Sequence, residues 1–295
     1  MAATRVLVRG RRLLTRKSVE RLMAELATRE YPAHAPVPKR MRKQYLLVED
    51  SMDGCVVLRL TPRAGASGEH LIYTHGGSYV HPLVPEHWWI IERMTRGSGV
   101  TITVPLYRLA PESGVDRAYG FLRAVYADLV QSGPVTLAGD SAGGGLALGQ
   151  AVVYRDADLP APRQVILFAP WVDITGSNPA IRKVQARDPM LRAETTRACG
   201  RLWVRGHDDR DPAVSPLFAD LAGLPPVHTF QGGCDILAPD AQVLASRLQQ
   251  VGNPGSFTFV PAAFHVHVGA FWTPEARAAL RAVNTLLRPI PPARE

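Results

Sequence analysis

The stretch Gly139-Asp140-Ser141-Ala142-Gly143 decides the fold, because it stands between an apolar run and a run of small residues. The apolar run, Pro134-Val135-Thr136-Leu137-Ala138, is typical of a buried strand, and the small residues that follow favour a helix. This order is the pattern of a nucleophile elbow, which consists of a buried strand, then Gly-x-Ser-x-Gly, then a helix. Glycine and serine also make ordinary turns, but the strand and helix on either side favour the catalytic interpretation. The pattern therefore predicts Ser141 as a nucleophile at the positive end of a helix.

A second glycine motif, His75-Gly76-Gly77, ends the β-rich run Leu71-Ile72-Tyr73-Thr74. Consecutive glycines allow backbone N–H groups to converge on one point without side chains in the way, as an oxyanion hole requires. We predict Gly76 and Gly77 as donors, with the N–H of Ala142 as the third. The alternative is a plain turn after a strand, which the downstream elbow makes the weaker interpretation.

A nucleophilic serine needs a base, and the base needs an orienting carboxylate. In folds with this elbow the acid and then the histidine follow the serine along the chain. Asp235 comes shortly after a strand-like run that ends at Gln231, so it is the predicted acid. Asp240 is the reserve, and is otherwise interpreted as a solvated charge at a helix end. His265 and His267 both follow the last predicted strand, so position alone allows either as the base.

Strand-like and helix-like segments alternate along the chain, which indicates an α/β fold with a mostly parallel sheet flanked by helices. No internal repeat or low-complexity linker divides the chain, so one large domain is predicted. The predicted helices lie at about 86–96, 117–130, 142–155, 192–204, 236–250 and 274–287. The eight predicted strands begin near Tyr45, Cys55, His70, Val100, Pro134, Gln164, Pro226 and Ser256.

The composition is that of a globular enzyme, with 46% apolar and 20% charged residues in a chain of 295. No apolar run reaches the length of a transmembrane helix, and the N-terminus lacks the apolar core of a secretion signal. Cys55, Cys199 and Cys234 are odd in number and widely spaced, which indicates free thiols. Together these features predict a cytoplasmic protein.

The net charge of +8 is concentrated at the N-terminus. Residues 1–43 contain twelve Arg or Lys and three Glu, a net of +9 that leaves −1 for the remaining chain. A basic helix at residues 9–17 would suit an anionic membrane surface. However, 30 of the 34 basic residues are Arg, a bias that runs along the whole chain. We therefore predict the solvated face of a helix, with no nucleic-acid partner and no membrane contact.

At these motifs the chain resembles the hormone-sensitive-lipase-like α/β-hydrolases, also called family IV bacterial esterases. The resemblance implies the α/β-hydrolase fold, a catalytic triad of Ser141, Asp235 and His265, and hydrolysis of a small-molecule carboxylic ester without cofactor or metal. It also implies oxyanion donors at Gly76, Gly77 and Ala142. The motifs that carry it are His75-Gly76-Gly77, Tyr107-Arg108-Leu109-Ala110-Pro111-Glu112, Gly139-Asp140-Ser141-Ala142-Gly143-Gly144, Asp235-Ile236-Leu237 and Phe264-His265.

Three positions depart from the family pattern. Ser78 stands where the family usually has a third glycine, which affects loop geometry more than donor identity. Residues 113–117 replace a Pro-aromatic-Pro stretch. An aromatic residue commonly follows two positions after the catalytic histidine, and His267 fills that place, so the resemblance favours His265 as the base.

The resemblance also implies a helical cap made of an N-terminal segment, residues 1–43, and an insertion at about 172–215 within the catalytic domain, residues 44–295. Leu202 and Trp203 either line a substrate pocket or pack the cap onto the core. Tyr79 and Trp171 are further candidates for the pocket.

The expected activity is hydrolysis of short to medium acyl esters through an acyl-enzyme. Hydrolysis of an amide, a lactone or an N-acetyl group is the alternative, because the same triad serves those bonds. A non-catalytic ligand receptor on the same fold is a third hypothesis. Members of the family often pair, which allows a homodimer, although no residue here demonstrates one.

Overall fold

The structure, a computed structural model, describes residue 1, residues 3–5, residue 8 and residues 18–289. The basic helix predicted at 9–17 therefore lies outside the described residues. Within them, a single sheet has the strand order β1-β2-β4-β3-β5-β6-β7-β8. The pairs β1–β2 and β2–β4 are antiparallel, and every other pair is parallel. The strands are β1 Tyr45–Met52, β2 Cys55–Pro62, β3 His70–Thr74, β4 Thr101–Pro105, β5 Val135–Asp140, β6 Gln164–Phe168, β7 Val227–Cys234 and β8 Ser256–Phe264.

Helices cover both faces of this sheet. Side chains alternate between the faces along each strand, so Leu137 joins one apolar cluster and Ala138 the other. The first cluster includes residues of α1, α4, α5, α7 and α8, and the second includes residues of α2, α3 and α9. The helices are α1 Val19–Thr28, α2 Lys39–Gln44, α3 Pro85–Met94, α4 Val115–Leu129, α5 Ala142–Asp156, α6 Ile181–Gln185, α7 Ala193–Val204, α8 Ala238–Gln250 and α9 Pro274–Leu286.

The α/β-hydrolase fold predicted from the sequence is confirmed. The predicted start of each strand lies within one residue of the start of an observed strand. None of the helices among the described residues is long and apolar enough to cross a membrane. Cys55, Cys199 and Cys234 are buried free thiols.

The two segments outside the strand–helix alternation pack against each other and against the sheet domain. From the first segment, Leu22 and Leu26 of α1 enter the same apolar cluster as Trp203 of α7. Arg29, just after α1, donates to the carbonyl of Ala110 at 2.8 Å and pairs with Glu112 at 3.0 Å. The N-terminal segment is thus tied to the chain that follows β4.

Candidate active site

Ser141 occupies the turn between β5 and α5 with the backbone angles φ 53° and ψ −122°. These angles lie in the region that L-residues avoid, as the elbow pattern predicts. The backbone of Ser141 is held on both sides, because its N–H donates to the carbonyl of Phe168 at 2.9 Å and its carbonyl accepts from Gly145 and Trp171. The strained turn therefore fixes the position of the serine side chain at the carboxyl end of the sheet.

Small residues around Ser141 are a steric requirement of this turn. A Cβ added at Gly143 would lie 2.1 Å from the carbonyl oxygen of Thr74, and one added at Gly139 would lie 2.3 Å from the carbonyl oxygen of Gly143. Both contacts are with backbone atoms, which cannot rotate away. The elbow can form only with glycine at these two positions.

The structure brings Ser141, His265 and Asp235 together in one line of hydrogen bonds. His265 follows β8, and its Nε2 lies 2.9 Å from Ser141 Oγ. Its Nδ1 lies 2.9 Å from Oδ2 of Asp235, the residue that follows β7. The Asp235 carboxylate also accepts from Gln231 Nε2 at 2.8 Å and from the N–H of Leu237 at 2.9 Å. All three side chains are buried.

The electrostatics of His265 suit a general base. Burial alone would lower its pKa, but the carboxylate of Asp235 more than offsets this and leaves the pKa raised. Because a carboxylate only accepts, the proton of a neutral imidazole belongs on Nδ1. Nε2 then presents its lone pair to the hydroxyl of Ser141.

His267 has a different environment. It is buried, neither ring nitrogen has a hydrogen-bond partner among the described residues, and burial lowers its pKa to about 4. The geometry thus selects His265, not His267, as the histidine beside Ser141.

The prediction that Asp240 is a solvated charge is wrong. Its side chain is 2% exposed in the first turn of α8. Burial raises the pKa of Asp240 to about 7. Since Asp235 already holds His265, the reserve role as the triad acid has no support. The sequence could not distinguish an exposed from a covered helix end, because the covering residues belong to the segment at 172–215.

The predicted oxyanion loop needs one correction. The N–H of Gly76 donates to Oδ1 of Asp140 at 3.0 Å, so it is already occupied by a carboxylate. The N–H groups of Gly77, Ser78 and Ala142 have no hydrogen-bond partner among the described residues. Gly77 and Ser78 both have positive φ, 119° and 53°. The N–H groups that remain available to an oxyanion are therefore those of Gly77, Ser78 and Ala142, and not that of Gly76.

Asp140 is a buried acid next to Ser141 whose contacts sequence reasoning missed. It is buried and accepts from the Tyr73 hydroxyl at 2.7 Å, while His87 Nε2 lies 3.5 Å from its other oxygen. Burial alone would raise the pKa of Asp140, but His87 and these hydrogen bonds hold it below its ordinary value. The signal available in the sequence was an acidic residue directly before the predicted nucleophile. Where such a residue is buried, its carboxylate needs hydrogen-bond partners.

Asp188 is a second missed residue, and it connects the segment at 172–215 to the triad. One oxygen accepts from the N–H groups of Met190 and Leu191, at 2.7 and 2.8 Å. The other accepts from the N–H of Ile236, the neighbour of Asp235, at 2.8 Å. Burial and the nearby Asp235 raise the pKa of Asp188 to about 6. No sequence signal separates this residue from the exposed acids around it.

Of the predicted pocket residues, three form an aromatic stack. Tyr79 lies between Trp203, with ring centroids 4.3 Å apart, and Trp171, at 5.3 Å. All three rings are buried, whereas Leu202 is half-buried. The stack favours the second alternative for Trp203, in which this ring packs the helical segment onto the core.

Comparison with known proteins agrees with this fold. A family described as having the alpha/beta hydrolase fold matches residues 71–269. An acetyl-hydrolase of Streptomyces hygroscopicus is 33% identical over 230 residues, which cover 76% of this chain and 77% of that protein. An esterase of Acinetobacter venetianus is 29% identical over 234 residues, which cover 74% of this chain and 74% of that protein.

The similarity extends to solved structures. An esterase from the bacterial hormone-sensitive lipase family superposes with a TM-score of 0.80 at 25% identity, covering 96% of this chain and 95% of that one. The chain therefore belongs to the α/β-hydrolase family, within the group of carboxylic ester hydrolases that includes the bacterial hormone-sensitive lipase family.

Proposed function

We propose that this enzyme is a serine carboxylesterase that cleaves short to medium acyl esters through an acyl-enzyme. The observation that carries the proposal is the position of His265, 2.9 Å from both Ser141 Oγ and Asp235 Oδ2. A nucleophile, a base within hydrogen-bond reach and an orienting carboxylate are what acyl transfer by a serine enzyme requires.

In the proposed reaction, His265 Nε2 takes the hydroxyl proton as Ser141 Oγ bonds to the ester carbonyl carbon. The carbonyl oxygen becomes an oxyanion, which accepts from the free N–H groups of Gly77, Ser78 and Ala142. As the tetrahedral intermediate collapses, the alcohol leaves with the proton from His265. Water then attacks the acyl-enzyme by the same route and frees the carboxylic acid.

We further propose that residues 1–43 and 172–215 act as a cap over this site. The hydrogen bond from Ile236 to Asp188 supports the position of the second segment beside the triad. The pairing of Arg29 with Glu112 supports the first. Since these contacts link the cap to the loops around Ser141, removal of residues 1–43 is expected to lower activity as well as stability.

The preference for short chains rests on the few large apolar side chains that are exposed in the described part of the cap. These are Tyr31, 45% exposed, and Met190, 39% exposed, while Leu191 and Leu202 are half-buried and Trp203 and Val204 are buried. This is less than the contiguous apolar patch that a lipid interface needs.

A chain-length series tests the proposal. The rates of p-nitrophenyl acetate, butyrate, octanoate and palmitate hydrolysis should be compared with Ser141→Ala as the background control. We expect the highest kcat/KM for acyl chains shorter than about ten carbons. With a triglyceride emulsion, we expect the rate to change smoothly with substrate concentration. A sharp rise above the solubility limit of the long-chain substrate would contradict the assignment and favour a lipase.

Removal of acetyl groups is a second candidate, because the Streptomyces relative is named an acetyl-hydrolase. Removal of an acetyl group from oxygen is itself ester hydrolysis. Only removal of an acetyl group from nitrogen would cleave a different bond, an amide. Paired O-acetyl and N-acetyl substrates with the same leaving skeleton separate the two reactions. Faster cleavage of the N-acetyl member would favour an amide hydrolase, and binding without turnover of either would favour a receptor.

A further inference from the structure

Gln231 is a buried polar residue of β7 whose side chain reaches the candidate triad. Its Nε2 donates to Oδ2 of Asp235 at 2.8 Å, and the same oxygen lies 2.9 Å from Nδ1 of His265. Oδ2 therefore has two partners, one from the proposed base and one from an amide that takes no part in proton transfer. The mechanism given above assigns no role to Gln231.

An irregularity in the sheet allows Gln231 and Asp235 to meet. In a regular strand the Cα atoms of residues four positions apart are about 13 Å from each other, which is too far for a hydrogen bond between these two side chains. The pairing of β7 with β8 shifts in register between Gly232 and Cys234. A Cβ added at Gly232 would lie 2.5 Å from the carbonyl oxygen of Phe264, so this part of the strand requires glycine.

The amide of Gln231 is only partly satisfied by the protein. A carboxylate oxygen only accepts, so the NH₂ end of the amide must face Asp235. Nε2 also donates to the carbonyl of Gly232 at 3.0 Å. Oε1 is buried and has no hydrogen-bond partner in the part of the chain that the structure describes. An apolar side chain of similar size would avoid this unsatisfied oxygen, so packing alone does not account for a glutamine at this position.

The hydrogen bond from Gln231 affects both the orientation and the charge of Asp235. Oδ1 of Asp235 already accepts from the N–H of Leu237 at 2.9 Å. A further donor on Oδ2 keeps the carboxylate from rotating away from His265. The same donor also draws negative charge away from His265. Since the charge of Asp235 raises the pKa of His265, Gln231 limits that increase.

We propose that Gln231 is a positioning residue, which holds Oδ2 of Asp235 toward His265 and sets the pH at which the enzyme becomes active. The inference rests on the proposed esterase function, in which His265 is the base. An amide does not titrate, so its donation is the same at every pH. The other carboxylates that raise the pKa of His265 are Asp188 and Asp140, and both are kept in the variants below.

Gln231→Met, which has a similar length but no amide, tests this role. With one donor fewer on Oδ2, Asp235 stabilises the protonated His265 more strongly. The rising limb of kcat/KM for p-nitrophenyl butyrate should therefore move to higher pH by about half to one unit. The kcat at the plateau should fall about threefold to tenfold, because the carboxylate is less well oriented. Steady-state kinetics between about pH 5 and 9 measure both effects.

Gln150→Met is the matched control. Gln150 is also buried, but it donates to the carbonyl of Leu146 and accepts from Tyr154, both within α5. Its replacement should lower the thermal unfolding temperature and leave the pH profile unchanged. If Gln231→Met behaves in the same way, with a wild-type pH profile, Gln231 has only a structural role and the proposal is overturned.

Gln231→Glu keeps the shape of the side chain and covers the case in which Gln231→Met does not fold. Two carboxyl groups in contact in a buried site hold one proton between them, and the protonated group can donate to Oδ2 as the amide does. We expect activity near neutral pH and a falling limb at alkaline pH that the wild type lacks, because the second ionisation removes the donor. A wild-type profile, or a folded variant that is inactive at every pH, would overturn the proposal.

Titration of His265 by NMR, with histidine-labelled protein, tests the inference without ester hydrolysis. The pKa of His265 should be higher in Gln231→Met than in the wild type and in Gln150→Met. An unchanged pKa of His265 would overturn the role of Gln231. Failure of the wild type to hydrolyse p-nitrophenyl butyrate would instead contradict the esterase proposal, so the two failures are distinguishable.

Discussion

The backbone N–H of Gly76 donates a hydrogen bond of 3.0 Å to Oδ1 of Asp140. Gly76 lies in the loop after β3, and Asp140 is the last residue of β5, directly before Ser141. The same carboxylate accepts from the hydroxyl of Tyr73 and lies beside His87. One buried acid thus fixes the loop that carries the available N–H donors relative to the candidate nucleophile.

Asp140→Ala should therefore impair both stability and catalysis. It leaves the donors of Tyr73, Gly76 and His87 without their partner, at a cost of about 3–5 kcal/mol in unfolding free energy. We expect kcat for a butyrate ester to fall about 10-fold to 100-fold because the oxyanion loop loses its anchor. Urea unfolding and steady-state kinetics measure the two effects. Glu49→Ala, which removes an exposed acid, is the control. An unchanged kcat in the folded variant would show that Asp140 does not position the loop.

Two glycine substitutions should have opposite effects on stability. Gly143→Ala places its Cβ 2.1 Å from the carbonyl oxygen of Thr74, so the elbow cannot form and activity should be lost. Gly120→Ala, in the exposed part of α4, meets nothing within 4 Å. It should stabilise the protein by up to about 1 kcal/mol through helix propensity. Thermal unfolding and ester hydrolysis measure both variants, and an active Gly143→Ala enzyme would disprove the steric argument.

The pH dependence of kcat/KM should report His265. A base must be neutral, so activity should increase as the pH rises through the pKa of His265, which Asp235 holds above 6.5. Asp235→Asn should move this inflection to lower pH and reduce kcat about 10⁴-fold, because the amide favours the wrong tautomer. A flat profile between about pH 5 and 8 would exclude a histidine base.

The two neighbouring histidines should differ sharply on substitution. His265→Ala removes the base and should leave almost no activity. His267→Phe replaces a buried ring whose two nitrogens have no hydrogen-bond partner in the described part of the chain, so it should keep activity and preserve or increase the unfolding free energy. Near-complete loss of activity in folded His267→Phe, together with an active His265→Ala enzyme, would assign the base to His267.

Much of the fold follows from local patterns. The strands near Cys55 and His70 and the helix after Ser141 were predicted to within a residue or two, because apolar runs and glycines mark them. The helix predicted from Ile236 begins instead at Ala238. One reason is tertiary, since Asp188 accepts from the N–H of Ile236 from another segment. The other is local, since the side chain of Asp235 accepts from the N–H of Leu237 two residues later. The short helices α2 and α6 carry no long apolar period and were not predicted.

The site residues could be predicted from the sequence only where their order along the chain identifies them. The order Ser141, Asp235, His265 is a property of this fold, so the three positions could be predicted together. The hydrogen bonds of Gly76 and Asp240 could not be predicted, because each is made with a partner distant in sequence. The partner of Gly76 is Asp140, and the partner of Asp240 is Asn178. Burial of a polar group is decided by tertiary packing, which no local pattern encodes.

Covalent labelling of Ser141 tests the central claim most directly. A fluorophosphonate reacts with an activated serine, and peptide mass spectrometry identifies the modified residue. We predict a single adduct on Ser141 that forms in step with loss of ester hydrolysis, and no labelling of Ser141→Ala, whose kcat should fall by several orders of magnitude. Labelling of another residue, or a folded Ser141→Ala enzyme that retains more than about 1% of wild-type kcat, would contradict the assignment of Ser141 as the nucleophile.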